Sequence, residues 1–281
     1  MISINTNYGS LFASKSAGAA QKTMNTAMER LSSGLRINSA KDDAAGQGIA
    51  MRLSAEIKSL GMASRNASDA QAMIDTAEAA HQEVHNMLLR MREIAVQAAS
   101  GRTRTSLMAF GGSVISDADR TALNAEVKAL ETEITNIADN TTFAGINLGT
   151  STAVKFQVGT ENGVTLDHTF KDFDATTISA DVDVLSTGSA GNAVSTLDAA
   201  ISLISTRRGE LGAISNRLSS TIANLDNIAV NLSSARGRIQ DTDFAAETSN
   251  LAKSQIMQQA ATAMLAQANA SKGSILTLIQ S

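Results

Sequence analysis

Apolar residues recur along this chain at alternating intervals of three and four. From Leu60 the pattern runs through Ala63, Ala67, Ala70, Ile74, Ala77, His81, Val84, Leu88, Met91, Ala95 and Ala98, twelve positions of which only His81 is polar. Extended back through Leu53 and Ile49, this heptad spacing predicts one helix of about fifty residues, or ~75 Å at 1.5 Å per residue. A second run passes through Val194, Leu197, Ile201, Ile204, Arg208, Leu211, Ser215, Leu218, Ile222, Leu225, Ala229 and Leu232, apolar at ten of its twelve positions. A shorter stripe, Leu123, Val127, Leu130, Ile134 and Ile137, follows Ser116 and Asp117 as candidate caps. Three such stripes predict an antiparallel helical bundle.

Residues 141–190 change character to FQVG, the turn signal ENG at 161–163, and VTLDHTF. A β-hairpin is expected there, Ala153 to Val158 pairing with Val164 to Phe170. The Ser/Gly-rich stretch Ser186 to Asn192 reads as a loop. A Gly-rich break, Gly101 to Ser113, carries Leu107, Met108 and Phe110, for which the pattern assigns no place. The two ends resemble each other: Ala17, Ala20, Met24, Ala27 and Leu31 form a stripe that stops at Gly34, and Met257, Ala261, Met264 and Ala268 form a C-terminal one. Alanine removes little area from water at ~25 cal/mol per Å², so each end is expected to need the other, or another molecule, to fold. These nine residues are the candidate self-assembly set.

Composition narrows the possible chemistry. No cysteine and three histidines, His81, His85 and His168, leave no disulfide, no thiol nucleophile and little material for a metal site. His81 and His85 have helical metal-ligand spacing, but HQEVH lacks the HExxH order and no third ligand accompanies it. GQG at 46–48 is too short for a dinucleotide loop. The expectation is therefore no enzyme, no metal and no cofactor. The sequons at Asn66, Asn140, Asn231 and Asn269 fall within helices or at a helix end and are read as chance. Twenty-three basic against 27 acidic residues, without a basic block, argue against nucleic acid. The polar helix faces also lack the basic and bulky aromatic residues of membrane-surface helices. The opening MISINTNYGSLFASKS has neither a basic leader nor a continuous apolar run, so any export is expected to use a route without a cleaved signal peptide. Proline is absent and aromatics make up 3% of the chain, against 43% hydrophobic, which suits long interlocking helices.

ERLSSGLRINSAKDDAAGQGIAMR (Glu29 to Arg52), ASRNASDAQ (Ala63 to Gln71), LRMREIAVQAA (Leu89 to Ala99) and DTDFAAETSNLAKSQIMQQAATAMLAQAN (Asp241 to Asn269) closely resemble bacterial flagellin, over about the first 100 and last 85 residues. The resemblance implies a mainly α fold, a long antiparallel helical rod with a small β-hairpin region. Residues 1–44 and 240–281 would pair as an inner coiled-coil domain, and 45–239 would form the rod-shaped domain with its hairpin near 150–180. With about twenty residues between hairpin and Val194, it is a minimal form without large outer domains. ANASKGSILTLIQS departs from relatives that carry a proline near Lys272.

The implied function is a structural subunit that self-assembles into the flagellar filament for motility, extracellular and exported by flagellar type III secretion. Implied partners are other flagellin subunits, flagellar cap and hook-associated proteins, an export chaperone at the C-terminal end, and Toll-like receptor 5. The alternatives are a hook–filament junction protein or a soluble or lipid-associated helical binding module. Carried across within LRMREIAVQ, the family's subunit- or receptor-contact patch selects Arg90 and Ile94, with Glu126 matched by counting back from Phe143.

Overall fold

The computed structural model describes residues 6–100, 116–161, 163–178 and 182–280. The elements are α1 (Tyr8–Ser33), α2 (Ala44–Ala99), α3 (Asp117–Asn140), β1 (Thr142–Phe143), β2 (Ile146–Asn147), β3 (Ala153–Gln157), β4 (Thr165–Thr169), α4 (Ala175–Ile178), α5 (Thr187–Gln240) and α6 (Phe244–Gln280). They divide into two compact units, Lys58–Ala229 and Met1–Ile57 with Val230–Ser281, whose boundaries fall inside α2 and α5. The Gly101 to Ser113 stretch lies outside the described residues.

In the unit Lys58–Ala229 all twelve heptad positions from Leu60 to Ala98 are buried, His81 included. Ser64 with Asp226, Gln71 with Ser219, Glu78 with Arg208 and Arg92 with Asp198 bond in opposite sequence order, so α2 and α5 run antiparallel. One core section packs Val84, Leu88, Met91 and Ile94 of α2 against Val127 and Ile134 of α3 and Leu197 and Ile204 of α5. The other packs Ala67 to Ala77 against Leu211 and Leu218 and against Phe156, Leu166 and Phe170 of the β region.

Ser116 caps α3 in a reciprocal box with Asp119, each side chain accepting from the other residue's backbone N–H. Those bonds hold the Asp119 carboxyl below its usual pKa. β3 and β4 form the expected antiparallel hairpin, from Ala153 opposite Thr169 to Gln157 opposite Thr165. A second, unforeseen hairpin pairs β1 with β2 around Ala144 (φ 49°) and Gly145 (φ 82°). The loop expected from Ser186 to Asn192 is instead the start of α5. Ser186 Oγ accepts from the Ser189 N–H at 3.0 Å, and buried Ala190 and Ala193 reward helix there.

In the other unit α1 pairs with α6. Gly34 ends α1 in the left-handed conformation (φ 73°), its N–H donating to Arg30 O at 2.8 Å. The turns after α1 and before α6 are clasped together. Arg36 N–H donates to Gln240 O at 2.7 Å and Thr242 N–H to Gly34 O at 2.9 Å, either side of a Leu35–Asp241 bridge. Gly46 of the GQG sequence serves packing, since a Cβ there would lie 2.7 Å from Ile37 Cδ1. The α2 stripe does not continue through Ile49, which is exposed; Ala50 takes the buried position beside half-buried Leu53.

Candidate assembly surface

The α1 stripe is where the spacing places it. Ala20 and Ala27 are buried, with Ala13 one heptad earlier, while Ala17, Met24 and Leu31 are half-buried. The α6 stripe differs. Ala261 is buried and Ala268 half-buried, but Met257 and Met264 are exposed, Met264 at 66%. The inward row of α6 is Glu247, Leu251, Ser254, Gln258, Ala261, Leu265 and Ala268, with Glu247, Ser254 and Ala261 buried and the others half-buried.

Apolarity alone rejects that row, because three of its positions are polar. Each has its partner. Arg30 Nη1 lies 3.7 Å from Glu247 Oε2, Gln258 Nε2 donates to Gln21 Oε1, and Ser254 Oγ donates to Asn250 O at 2.7 Å. At the far end Asn7 Nδ2 donates to Ala268 O at 3.1 Å, while its Oδ1 caps α1 by accepting from Ser10 N–H. A heptad count that tolerates polar members recovers the row.

Large apolar side chains point away from this seam. Tyr8, Leu11, Phe12 and Met28 on α1, with Phe244, Ile256, Met257 and Met264 on α6, are exposed, Phe12 at 74%. A helix pair that buries alanine and exposes Phe, Leu, Ile and Met has its stronger apolar faces outward. Such faces mark protein contact surfaces.

On the unit Lys58–Ala229, Arg90 and Glu126 meet across α2 and α3. Arg90 Nε and Nη2 donate to Glu126 Oε1 at 3.0 and 2.8 Å, and Nη1 reaches Glu93 at 3.2 Å. The bonds to Glu126, then those to Glu93, raise the Arg90 pKa above its ordinary value. Both side chains are substantially exposed. Ile94 is 0% exposed, packed in the core beneath them, and offers a partner no surface.

The histidines build no reactive site. His81 Nδ1 is 2.7 Å from Ala77 O and its ring lies 4.4 Å from that of Phe173. His168 stacks edge-on to Phe170. Burial pushes both pKa values down. The cavity between His81, His168, Arg207 and Glu210 measures about 10 Å³, room for one water. Among the described residues no three His, Asp or Glu side chains converge as metal ligands, and no helix is long and apolar enough to cross a membrane.

Residues 4–150 match the family model of the bacterial flagellin N-terminal helical region, and 194–279 that of the C-terminal helical region. The chain is 40% identical to flagellin of Halalkalibacterium halodurans over 99% of both chains. It is 33% identical to flagellin A of Vibrio cholerae over 99% of this chain and 100% of that one. Among solved structures, a putative flagellar hook-associated protein from Vibrio parahaemolyticus superposes with a TM-score of 0.57, covering 71% of this chain and 100% of that one. At 16% identity, that likeness is one of fold alone.

Proposed function

The chain belongs to the bacterial flagellin family and is a structural subunit of the flagellar filament, and from that premise we propose that it polymerises through its terminal α1–α6 pair. The observation that carries this is the inversion of that pair, with alanine inside and Tyr8, Leu11, Phe12, Ile256, Met257 and Met264 outside. Neighbouring subunits cover these outer residues in the polymer. Ala17, Ala20, Met24, Ala27, Leu31, Ala261 and Ala268 hold the pair together. The filament is extracellular; flagellar cap and hook-associated proteins contact the same ends. The chain leaves the cell by flagellar type III export, a chaperone holding its C-terminal end until pairing.

A Leu31→Asp variant tests the assembly claim. It sets a carboxylate in the seam at a cost of about 2 kcal/mol or more. Parent protein in a kosmotropic salt should sediment as fibres, and the variant should remain soluble with the Lys58–Ala229 unit still folded. Fibres from the variant would show that the seam lies elsewhere.

The exposed part of the α2–α3 patch, Arg90 and Glu126, contacts adjacent subunits and, on released monomer, Toll-like receptor 5. Buried Ile94 acts from beneath by holding α2 in place. The support is a planar guanidinium fixed by two carboxylates yet still open to a partner. Arg90→Ala should weaken receptor binding in surface plasmon resonance by about fivefold or more while leaving helicity unchanged. Equal binding by parent and variant removes the receptor claim and leaves the filament one.

A further inference from the structure

The deepest side chains of α1 in its pairing with α6 are Ala13, Ala20 and Ala27, one every seven residues. The facing row of α6 carries Ser254, Ala261 and Ala268 at the same interval. Small residues let two helices approach closely, but a seam with this period repeats itself. Sliding one helix by seven residues sets small side chains against small side chains again, with nearly the same area buried. Alanine burial therefore discriminates poorly between registers.

The polar contacts do not repeat. Asn7 reaches Ala268 and Asn269, Gln21 reaches Gln258, and Arg30 reaches Glu247, so one antiparallel alignment satisfies all three. Glu247 is the most demanding member. Its side chain is only 10% exposed and occupies the same heptad row as Ser254 and Ala261. A seven-residue slide that brings Ala261 to Gly9 sets Glu247 beside Thr23 and carries its carboxylate away from the Arg30 guanidinium. A buried carboxylate that loses its cation is strongly unfavourable, and single buried polar groups are known to select helix register in this way.

We infer that Arg30 and Glu247 are positioning residues that lock the register of the terminal helix pair, with Gln21–Gln258 as a second rung. The inference rests on the reading of this pair as the assembling part of the subunit. It assigns the alanines to closeness and the polar ladder to alignment along the helices beyond the Gly34–Thr242 clasp, which closes their base in the same register.

The chain contains no cysteine, so an introduced pair of thiols has no competitors. A Cβ built on Gly9 lies 3.4 Å from Ala268 Cβ, near the span of a disulfide. Gly9→Cys with Ala268→Cys thus reports the observed register, and Gly9→Cys with Ala261→Cys the register one heptad away. Each pair is introduced into the parent, into Glu247→Ala, and into the swap Arg30→Glu with Glu247→Arg. Intramolecular closure is timed in dilute full-length chain in kosmotropic salt and, for chains that sediment, in the fibres. In the parent the 268 pair should close about tenfold faster than the 261 pair. Glu247→Ala should reduce that preference to about twofold or reverse it, and the swap should restore it.

An unchanged preference in Glu247→Ala overturns the lock. So does loss of both crosslinks together, which would mean that the ion pair holds the helices without aligning them, and so does a swap that fails to restore the preference. Sedimentation of the parent is scored separately. A parent that makes no fibres removes the assembly reading, while closure rates in the dilute chain still decide the lock.

Discussion

His81 is the polar member of an otherwise apolar core row, and its chemistry sets a pH dependence for the unit around it. Burial is the main cause of its lowered pKa; Arg207 and Arg208 add to the effect, while the bond to Ala77 and the charge of Glu78 oppose it. The folded chain therefore takes up this proton less readily than the unfolded chain, whose histidine titrates near 6.5. The stability concerned is fully present above that pH and is lost progressively as pH falls below it. Half-buried His168 acts in the same direction. The urea midpoint of the full chain should fall between about pH 8 and about pH 5, and His81→Gln should flatten most of that fall. An identical slope in the variant would place the titration elsewhere. Ile94 illustrates a different residue-scale point. The heptad row through Leu60 to Ala98 describes the seam with one neighbour, but where α3 also packs on α2 the buried face widens to include Ala80 and Ile94. A single-seam reading leaves Ile94 outside and so available as a surface anchor; a second packed helix removes it from the surface.

At the scale of elements, legibility followed periodicity. α2, α3 and α5 were readable because their rows repeat many times, and β3–β4 because alternating side chains flank the ENG turn. The β1–β2 hairpin was not readable, because its two-residue turn needs positive φ at both positions and Ala144 occupies one of them. Turns of this kind advertise themselves through Asn-Gly or Asp-Gly, and FAGI does not. Alanine in that conformation is strained by roughly 1 kcal/mol. Ala144→Asn should accordingly raise the stability of the chain by a few tenths to about 1 kcal/mol, seen as a higher urea midpoint at unchanged slope. A lower midpoint would mean that the turn depends on the small side chain. The first turns of α5 were hidden for the opposite reason. Ser and Gly suggest a loop by composition, yet Ser186 caps and Ala190 and Ala193 bury. On α6 the seam was misread at Met257 and Met264 because its true row admits Glu247, Ser254 and Gln258.

Across the whole molecule the two units differ in what they bury. The core of Lys58–Ala229 contains Phe170, Phe173, Ile74, Leu88, Leu197 and Ile204, all fully buried, whereas the α1–α6 seam is carried by Ala13, Ala20, Ala27 and Ala261. At ~25 cal/mol per Å² the alanine seam is worth a fraction of the larger core. Brief proteolysis of the monomer should therefore trim both ends and leave a fragment centred on residues 58–229, identified by mass. Equal resistance of ends and centre would show that the seam is stronger than its side chains suggest. The clasp at the base of that seam changes how quickly it recovers. Arg36 and Ile239 stand 203 positions apart in the chain, yet the Arg36 guanidinium donates to the Ile239 carbonyl at 2.7 Å, beside the Gly34–Thr242 and Arg36–Gln240 bonds. While those bonds hold, the long loop is already closed and its entropy already spent. Helices that separate at their tips then behave kinetically as sequence neighbours: they re-zip outward from the clasp like a short hairpin, at a rate set by the next few residues and almost independent of the chain length between them.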